Sequence, residues 1–216
     1  MCVICVSKKG IRQPNADEIR EMWATNPHGA GYMFVKNGMV ELHKGFMELK
    51  DFMRSVNAEH FTDDDVVIYH FRISTQAGIT PEMTHPFPLS EDLKDMKILD
   101  CLCSVGIAHN GIIRLTSCKN AEYSDTALFI TEYLPMLIRD TKDINDKRVK
   151  RTIKALIDSK MALINGDGDV SIIGDFVAND DGLMFSNKHF MPDRSFPRTW
   201  GLGELYGYKY KTATRR

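Results

Sequence analysis

A chain of 216 residues, 43% hydrophobic and 26% charged, has the composition of an ordinary globular protein long enough to bury its core in one domain. Its formal net charge of -1 argues against a broad nucleic-acid or membrane footprint, and the basic "KTATRR" at the C-terminus reads as a solvated end. No apolar run approaches the ~20 residues of a membrane span and no signal-peptide h-region is present, so a cytoplasmic protein with no membrane or nucleic-acid partner is expected.

The β-branched run "CVICV" predicts a first strand directly after Met1. "NADEIREMWATN" follows with Ile19, Met22 and Trp23 at helical spacing behind Asn15, a suitable N-cap. "AGYMFV" and "MVELHK" read as strands joined through Asn37-Gly38, a hairpin signal because both residues tolerate positive φ. "ELKDFMRSV" has the pattern of a short amphipathic helix and "DVVIYHFRI" that of a buried strand. Residues 74–98, with Pro81, Pro86 and Pro88, are expected to form a long irregular loop of the kind that often carries function.

"CSVGIAHNG" returns to strand character. Helices are predicted in "SDTALFITEYLPMLI", opening at the Ser/Asp cap signal and ending near Pro135, and over "KRVKRTIKALID", where Val149, Ile153, Leu156 and Ile157 form one stripe. "MALING" and "VSIIGDF" flank a turn at Asp167-Gly168, and "GLMFSN" adds a closing strand. Strands at both ends with helices between them predict an α+β domain of mainly antiparallel sheets with helices packed outside.

The cysteines are Cys2, Cys5, Cys101, Cys103 and Cys118, an odd number without disulfide-dense spacing. Reduced thiols are expected, and the spacing does not suit a structural zinc site, so neither a metal nor a cofactor is predicted.

Five residues could carry chemistry. Removal of Met1 is expected where the next residue is small, and it would give Cys2 a free α-amine beside its thiol. An α-amine has a reference pKa of roughly 7.7–8.0, so one residue then supplies both nucleophile and base. Arg72 ends a buried strand in "HFRIST", where a guanidinium needs a partner: either an ion pair within the protein or the carboxylate of a small ligand. Asn110 and Gly111 in "AHNGII" offer an amide and an unobstructed backbone N–H to a developing oxyanion, or else form a simple turn. Asp125 in "YSDTALF" either caps a helix or pairs with a ligand ammonium, and the two roles are compatible. Together they describe a pocket for an α-amino acid attacked on its side chain, which fits glutamine.

The motifs "MC", "NPHGAGY", "HFRISTQAG", "THPF", "AHNGII" and "YSDT", in this order, resemble the glutaminase domain of class II glutamine amidotransferases, which are N-terminal nucleophile hydrolases. The resemblance spans residues 2 to about 190 of a single domain, leaving a short extension over 191–216. It implies a four-layer αββα sandwich of two antiparallel sheets. By this resemblance Cys2 is the nucleophile and Asn110 with Gly111 the oxyanion hole. Arg72 holds the glutamine α-carboxylate, Asp125 its α-amine, and Thr75 lines the same pocket. Gly29 and Gly31 let backbone pass close to the site, and His85 is expected to be structural. The chain departs from the family pattern at Val3, where Gly is frequent, and at Gln76, where some members carry His.

The extension is too short for a synthetase domain, as in compact stand-alone members from bacteria and phages. The implied function is hydrolysis of the glutamine side-chain amide through a Cys2 thioester, with the ammonia passing to a separate acceptor enzyme. The alternatives are hydrolysis of another γ-glutamyl or related amide, and a non-catalytic binding module of the same fold.

Overall fold

Strand β1 (Val3–Ser7) is buried at every position, which only a strand covered on both faces can be. It belongs to a computed structural model that describes residues 1–74, 78–116 and 122–191. Among these residues, β1 pairs antiparallel with β4 (Val67–Phe71) on one side and β11 (Met184–Phe185) on the other. The sheet continues from β4 through β2 (Ala30–Lys36) and β3 (Met39–Phe46) to β6 (Asp100–Cys103), and ends beyond β11 with β10 (Val177–Ala178). A second antiparallel sheet has the order β5 (Phe87–Pro88), β7 (Val105–Asn110), β8 (Lys160–Asn165), β9 (Val170–Ile173).

The local signals explain most of these elements. The β2–β3 hairpin turns through Asn37 and Gly38 at φ 53° and 77°, the positive-φ pair that a two-residue hairpin requires. Helix α1 (Ala16–Thr25) starts in a full capping box: Asn15 accepts from the Asp17 and Glu18 N–H groups, and the Glu18 carboxylate accepts from the Asn15 N–H. Helices α2 (Leu49–Ala58) and α5 (Lys147–Ile157) follow the sequence closely, the latter burying Ile153 and Ile157.

Alternation along the strands divides the core. Val3, Cys5, Tyr32, Tyr69 and Phe71 cluster with Ile19, Met22 and Phe52 of α1 and α2. Their strand neighbours Ile4, Val6, Met33 and Ile68 cluster instead with Ala108, Ala162 and Ile164 of the second sheet. The other face of that sheet, with Ile107, Met161 and Leu163, packs on Phe129, Ile130, Ile153 and Ile157 of the helices that follow. Each such side chain contributes about 1.5–3 kcal/mol by leaving water, so the side chains that join the two sheets are a main source of stability.

Three expectations need correction. The segment read as irregular holds two short 3-10 turns (Pro81–Met83 and Leu93–Lys97) and strand β5, which pairs with β7 through Phe87↔Ile107 and Pro88↔Gly106. Proline fits there because, among the described residues, β5 is the edge strand of its sheet. The strand read as starting at Cys103 is two strands: β6 ends at Cys103 in the first sheet and β7 begins at Val105 in the second, so the chain changes sheets at Ser104. The helix expected to open at Ser124 and end near Pro135 stops earlier, as α3 (Asp125–Glu132), because Pro135 cannot continue its hydrogen-bond ladder, and a separate turn, α4 (Leu134–Leu137), follows. The C-terminal extension expected over 191–216 lies, from residue 192 onward, outside the described residues. Among the described residues, no helix is long and apolar enough to cross a membrane.

Candidate active site

The antiparallel register of β1 with β4 pairs Val3 with Phe71, so Cys2 and Arg72, the next residues outward, sit side by side at the end of the sheet. Ile73 brackets the sulfur: its N–H lies 3.4 Å from Cys2 Sγ and its carbonyl accepts from the thiol at 3.5 Å. Burial pushes the Cys2 thiol above its ordinary value, while the Ile73 N–H, the nearby terminal amine and Arg72 pull it back. The thiol is therefore neutral near pH 7 and needs a base to become a nucleophile.

Asn110 and Gly111 arrive from the other sheet at the end of β7, and Ser186, just past β11, joins the two. The Ser186 hydroxyl lies 2.9 Å from the Ile4 N–H, which donates to it, and 2.8 Å from Asn110 Nδ2. In that orientation Asn110 Oδ1 is buried without a partner among the described residues. Turning the amide by 180° lets Oδ1 accept from the Ser186 hydroxyl and leaves the NH₂, in place of the unpartnered oxygen, as a free donor. Gly111, at φ 152°, is required for space as well, because a Cβ there would lie 2.4 Å from Ser159 Cβ.

Arg72 is almost fully buried, yet among the described residues it forms no ion pair. Its guanidinium donates to the Gly78 carbonyl at 3.2 Å and to Ser74 Oγ at 3.3 Å. Burial lowers its pKa, with Cys2 and Asp125 acting in the opposite direction. Among the described residues, a carbonyl and a hydroxyl rather than a carboxylate hold this cation.

Asp125 is not the cap of α3. Ser124 caps it, accepting from the Ala127 N–H at 3.1 Å, and Asp125 follows in the first turn. Its Oδ2 accepts from the Ile113 N–H at 2.6 Å and Oδ1 from the Thr126 N–H at 2.8 Å, which ties the segment after Gly111 to the helix. Cys2, Arg72, Asn110, Gly111 and Asp125 all line one cavity of about 430 Å³. Thr75 and Gln76 lie outside the described residues.

Several lining residues had no signal in the sequence. His109, one residue before Asn110, is held by Thr126 at 2.8 Å and Ser159 at 2.7 Å. Ser159 already donates to the Ile157 carbonyl, so it accepts from His109 Nε2–H, and Nδ1 accepts from Thr126. Lys160 Nζ donates to the Ser186 carbonyl and so fixes the residue that orients Asn110. His85 reaches the cavity wall, packed edge-on to His70 at 4.3 Å, and both its ring nitrogens are buried without a partner among the described residues. Gly31 is forced by the same crowding, since a Cβ there would lie 2.4 Å from the His85 carbonyl oxygen.

No protein-family model matches the chain, and no curated protein matches it either.

Proposed function

We propose that this chain is an amidohydrolase of the class II glutamine amidotransferase type, with a four-layer αββα arrangement and Cys2 as its N-terminal nucleophile. The observation that carries this reading is the convergence of Cys2, Arg72, Asn110, Gly111 and Asp125 on one cavity, from two sheets and a helix. The layered arrangement is supported by the three core clusters, one shared by both sheets and two between a sheet and helices.

The mechanism requires cleavage of the Met1–Cys2 bond. The freed α-amine takes the thiol proton, and the sulfur attacks the glutamine side-chain carbonyl carbon. Negative charge develops on the carbonyl oxygen, where the Asn110 amide and the Gly111 N–H donate to it. The amine returns the proton to the leaving nitrogen, ammonia departs, and a γ-glutamyl thioester remains. Water then attacks the thioester by the same route and releases glutamate. Arg72 holds the α-carboxylate and Asp125 the α-ammonium. The ammonia passes to a separate acceptor enzyme.

One observation favours a second reading. The cavity is large enough for more than an amino acid, and Ile112 and Leu156 add apolar wall beside Arg114. A γ-glutamyl amide with a substituent on nitrogen fits that space, and a panel of amides assayed for amine release separates it from free glutamine.

The deciding experiment is intact mass after incubation with 6-diazo-5-oxo-norleucine. One adduct, on a Cys2 that has lost Met1, is expected, and Cys2→Ala should abolish both the adduct and ammonia release while staying folded. Ammonia release that persists in Cys2→Ala removes the reading.

A further inference from the structure

Cys2 lies one residue outside β1, and among the described residues no backbone–backbone hydrogen bond holds it. Its carbonyl is held by a side chain 185 residues away: Asn187 Nδ2 donates to the Cys2 oxygen at 2.6 Å. The other end of that amide is committed as well, because Asn187 Oδ1 accepts from the His189 N–H at 3.0 Å. A carbonyl on one side and an N–H on the other leave the amide a single orientation. Asn187 is 6% exposed, and it is not among the residues that line the cavity.

The segment that carries Asn187 is anchored at both ends. Before it, the Ser186 N–H donates to the Ile4 carbonyl at 2.9 Å, and the Ser186 hydroxyl accepts from the Ile4 N–H. After it, the Met191 N–H donates to the Lys188 carbonyl at 3.0 Å, and the buried Phe190 ring packs 5.0 Å from that of Phe185. Asn187 therefore reaches Cys2 from a turn tied to β1 on one side and to the core on the other.

Two substituents of the Cys2 Cα are fixed in this way. Asn187 holds the carbonyl, and Ile73 brackets Sγ between its N–H at 3.4 Å and its own carbonyl at 3.5 Å. On a tetrahedral carbon of one hand, those two constraints leave a single direction for the nitrogen. That nitrogen is part of a peptide while Met1 is attached and is the α-amine once Met1 is gone. A terminal residue without such a hold turns about its Cα–C bond, since chain ends are ordered only where they are tied down.

We infer that Asn187 is a positioning residue for the nucleophile: by fixing the Cys2 carbonyl, it sets the freed α-amine beside the thiol whose proton that amine takes. This role rests on the reading of Cys2 as an N-terminal nucleophile. Asn187 acts through Cys2 alone, so it separates from Arg72 and Asp125, which hold the substrate. Its loss should slow the chemistry and leave glutamine binding as it was.

The test uses the full chain freed of Met1, verified by intact mass, beside Asn187→Ala and Asn187→Leu. Leucine fills the space of the amide without charge and without a donor, so it decides the matter even if the alanine variant does not fold. In both variants the pH midpoint of Cys2 alkylation by iodoacetamide should rise by about one unit, because the thiolate loses the ammonium beside it. The kcat for glutamine should fall about 10²-fold, as a ~1 Å misplacement of reacting groups does. The Kd of glutamine by calorimetry should change by less than about twofold. An unmoved alkylation midpoint in Asn187→Leu overturns the role of Asn187 and leaves the glutaminase reading intact. So does a Kd that weakens as much as kcat falls, since Asn187 would then shape the substrate pocket. Absence of ammonia release by the unsubstituted chain removes the glutaminase reading instead, and the alkylation midpoint still decides the role of Asn187. A chain that keeps Met1 has no amine to position, which overturns both.

Discussion

The Ile73 N–H points at the Cys2 sulfur from 3.4 Å, and Ile73 is itself held by its neighbours rather than by the sheet. The Ser74 N–H donates to His28 Nδ1 at 3.0 Å, and the His28 N–H donates to the Arg72 carbonyl at 2.9 Å. The Arg72 N–H completes the bracket by donating to the Gly29 carbonyl at 2.8 Å. His28 therefore positions the segment that supports both the thiol and the guanidinium.

A first prediction follows from that bracket. His28→Ala should shift the pH midpoint of Cys2 alkylation upward, because a loosened Ile73 N–H stabilises the thiolate less. His28→Asn should restore it, since Asn Oδ1 takes the place of Nδ1 as acceptor. A charge-assisted bond of ~1.5 kcal/mol corresponds to about one pH unit. The rate of iodoacetamide labelling at Cys2 against pH reads this directly, and it does so whatever the substrate is. An unmoved midpoint in His28→Ala would assign no such role to His28.

Asn110 and Ser186 should differ in what their loss does. Asn110→Ala removes a donor to the oxyanion and should lower kcat for glutamine by about 10²–10³, with KM little changed. Ser186→Ala leaves the buried Ile4 N–H unpaired and frees the Asn110 amide to rotate. It should cost ~1–3 kcal/mol of stability by urea denaturation together with a smaller fall in kcat. Equal losses of kcat with no change in stability would contradict the orienting role given to Ser186.

Arg72 should appear in KM. Its guanidinium is buried and spends its hydrogen bonds on a carbonyl and a hydroxyl, so it retains a full charge for a carboxylate. Arg72→Lys should raise KM for glutamine roughly 10²-fold, because an ammonium cannot reproduce the planar two-point grip. Calorimetry on the Cys2→Ala background measures the binding without turnover, and an unchanged Kd removes the assignment.

The elements flanking the site were legible because their signals are local. Asn15 marks a helix start, Asn37-Gly38 a hairpin, and the apolar run of β4 a buried strand. The motif residues Cys2, Arg72, Asn110, Gly111 and Asp125 were also visible, since chemistry needs particular residue types. What orients them was not. Ser186 is 182 residues from Ile4 in the chain, and only the sheet brings them together. The crossing at Ser104 was hidden for a related reason. Strand β6 alternates and is half exposed while β7 is buried throughout, but nothing in the run of residues says that they belong to different sheets.

Acid should destabilise the fold through the histidines beneath the cavity. Burial pushes His70 and His109 down to about 3 from an ordinary 6.5, and His85 is also far below its ordinary value. All three are thus neutral in the folded chain near pH 7. Above pH 6.5 neither folded nor unfolded chain binds these protons, so nothing is lost. Below it the unfolded chain takes up protons that the folded chain refuses, and each histidine costs about 1.4 kcal/mol of stability per pH unit until the folded value is reached. Between pH 6.5 and about pH 5, His70 and His109 together should remove ~4 kcal/mol. Urea denaturation across that range measures the slope, and His109→Gln, which keeps a donor for Ser159 but cannot titrate, should reduce it by about one proton's worth. A slope unchanged in that variant would mean that His109 takes up its proton in the folded chain as readily as in the unfolded one.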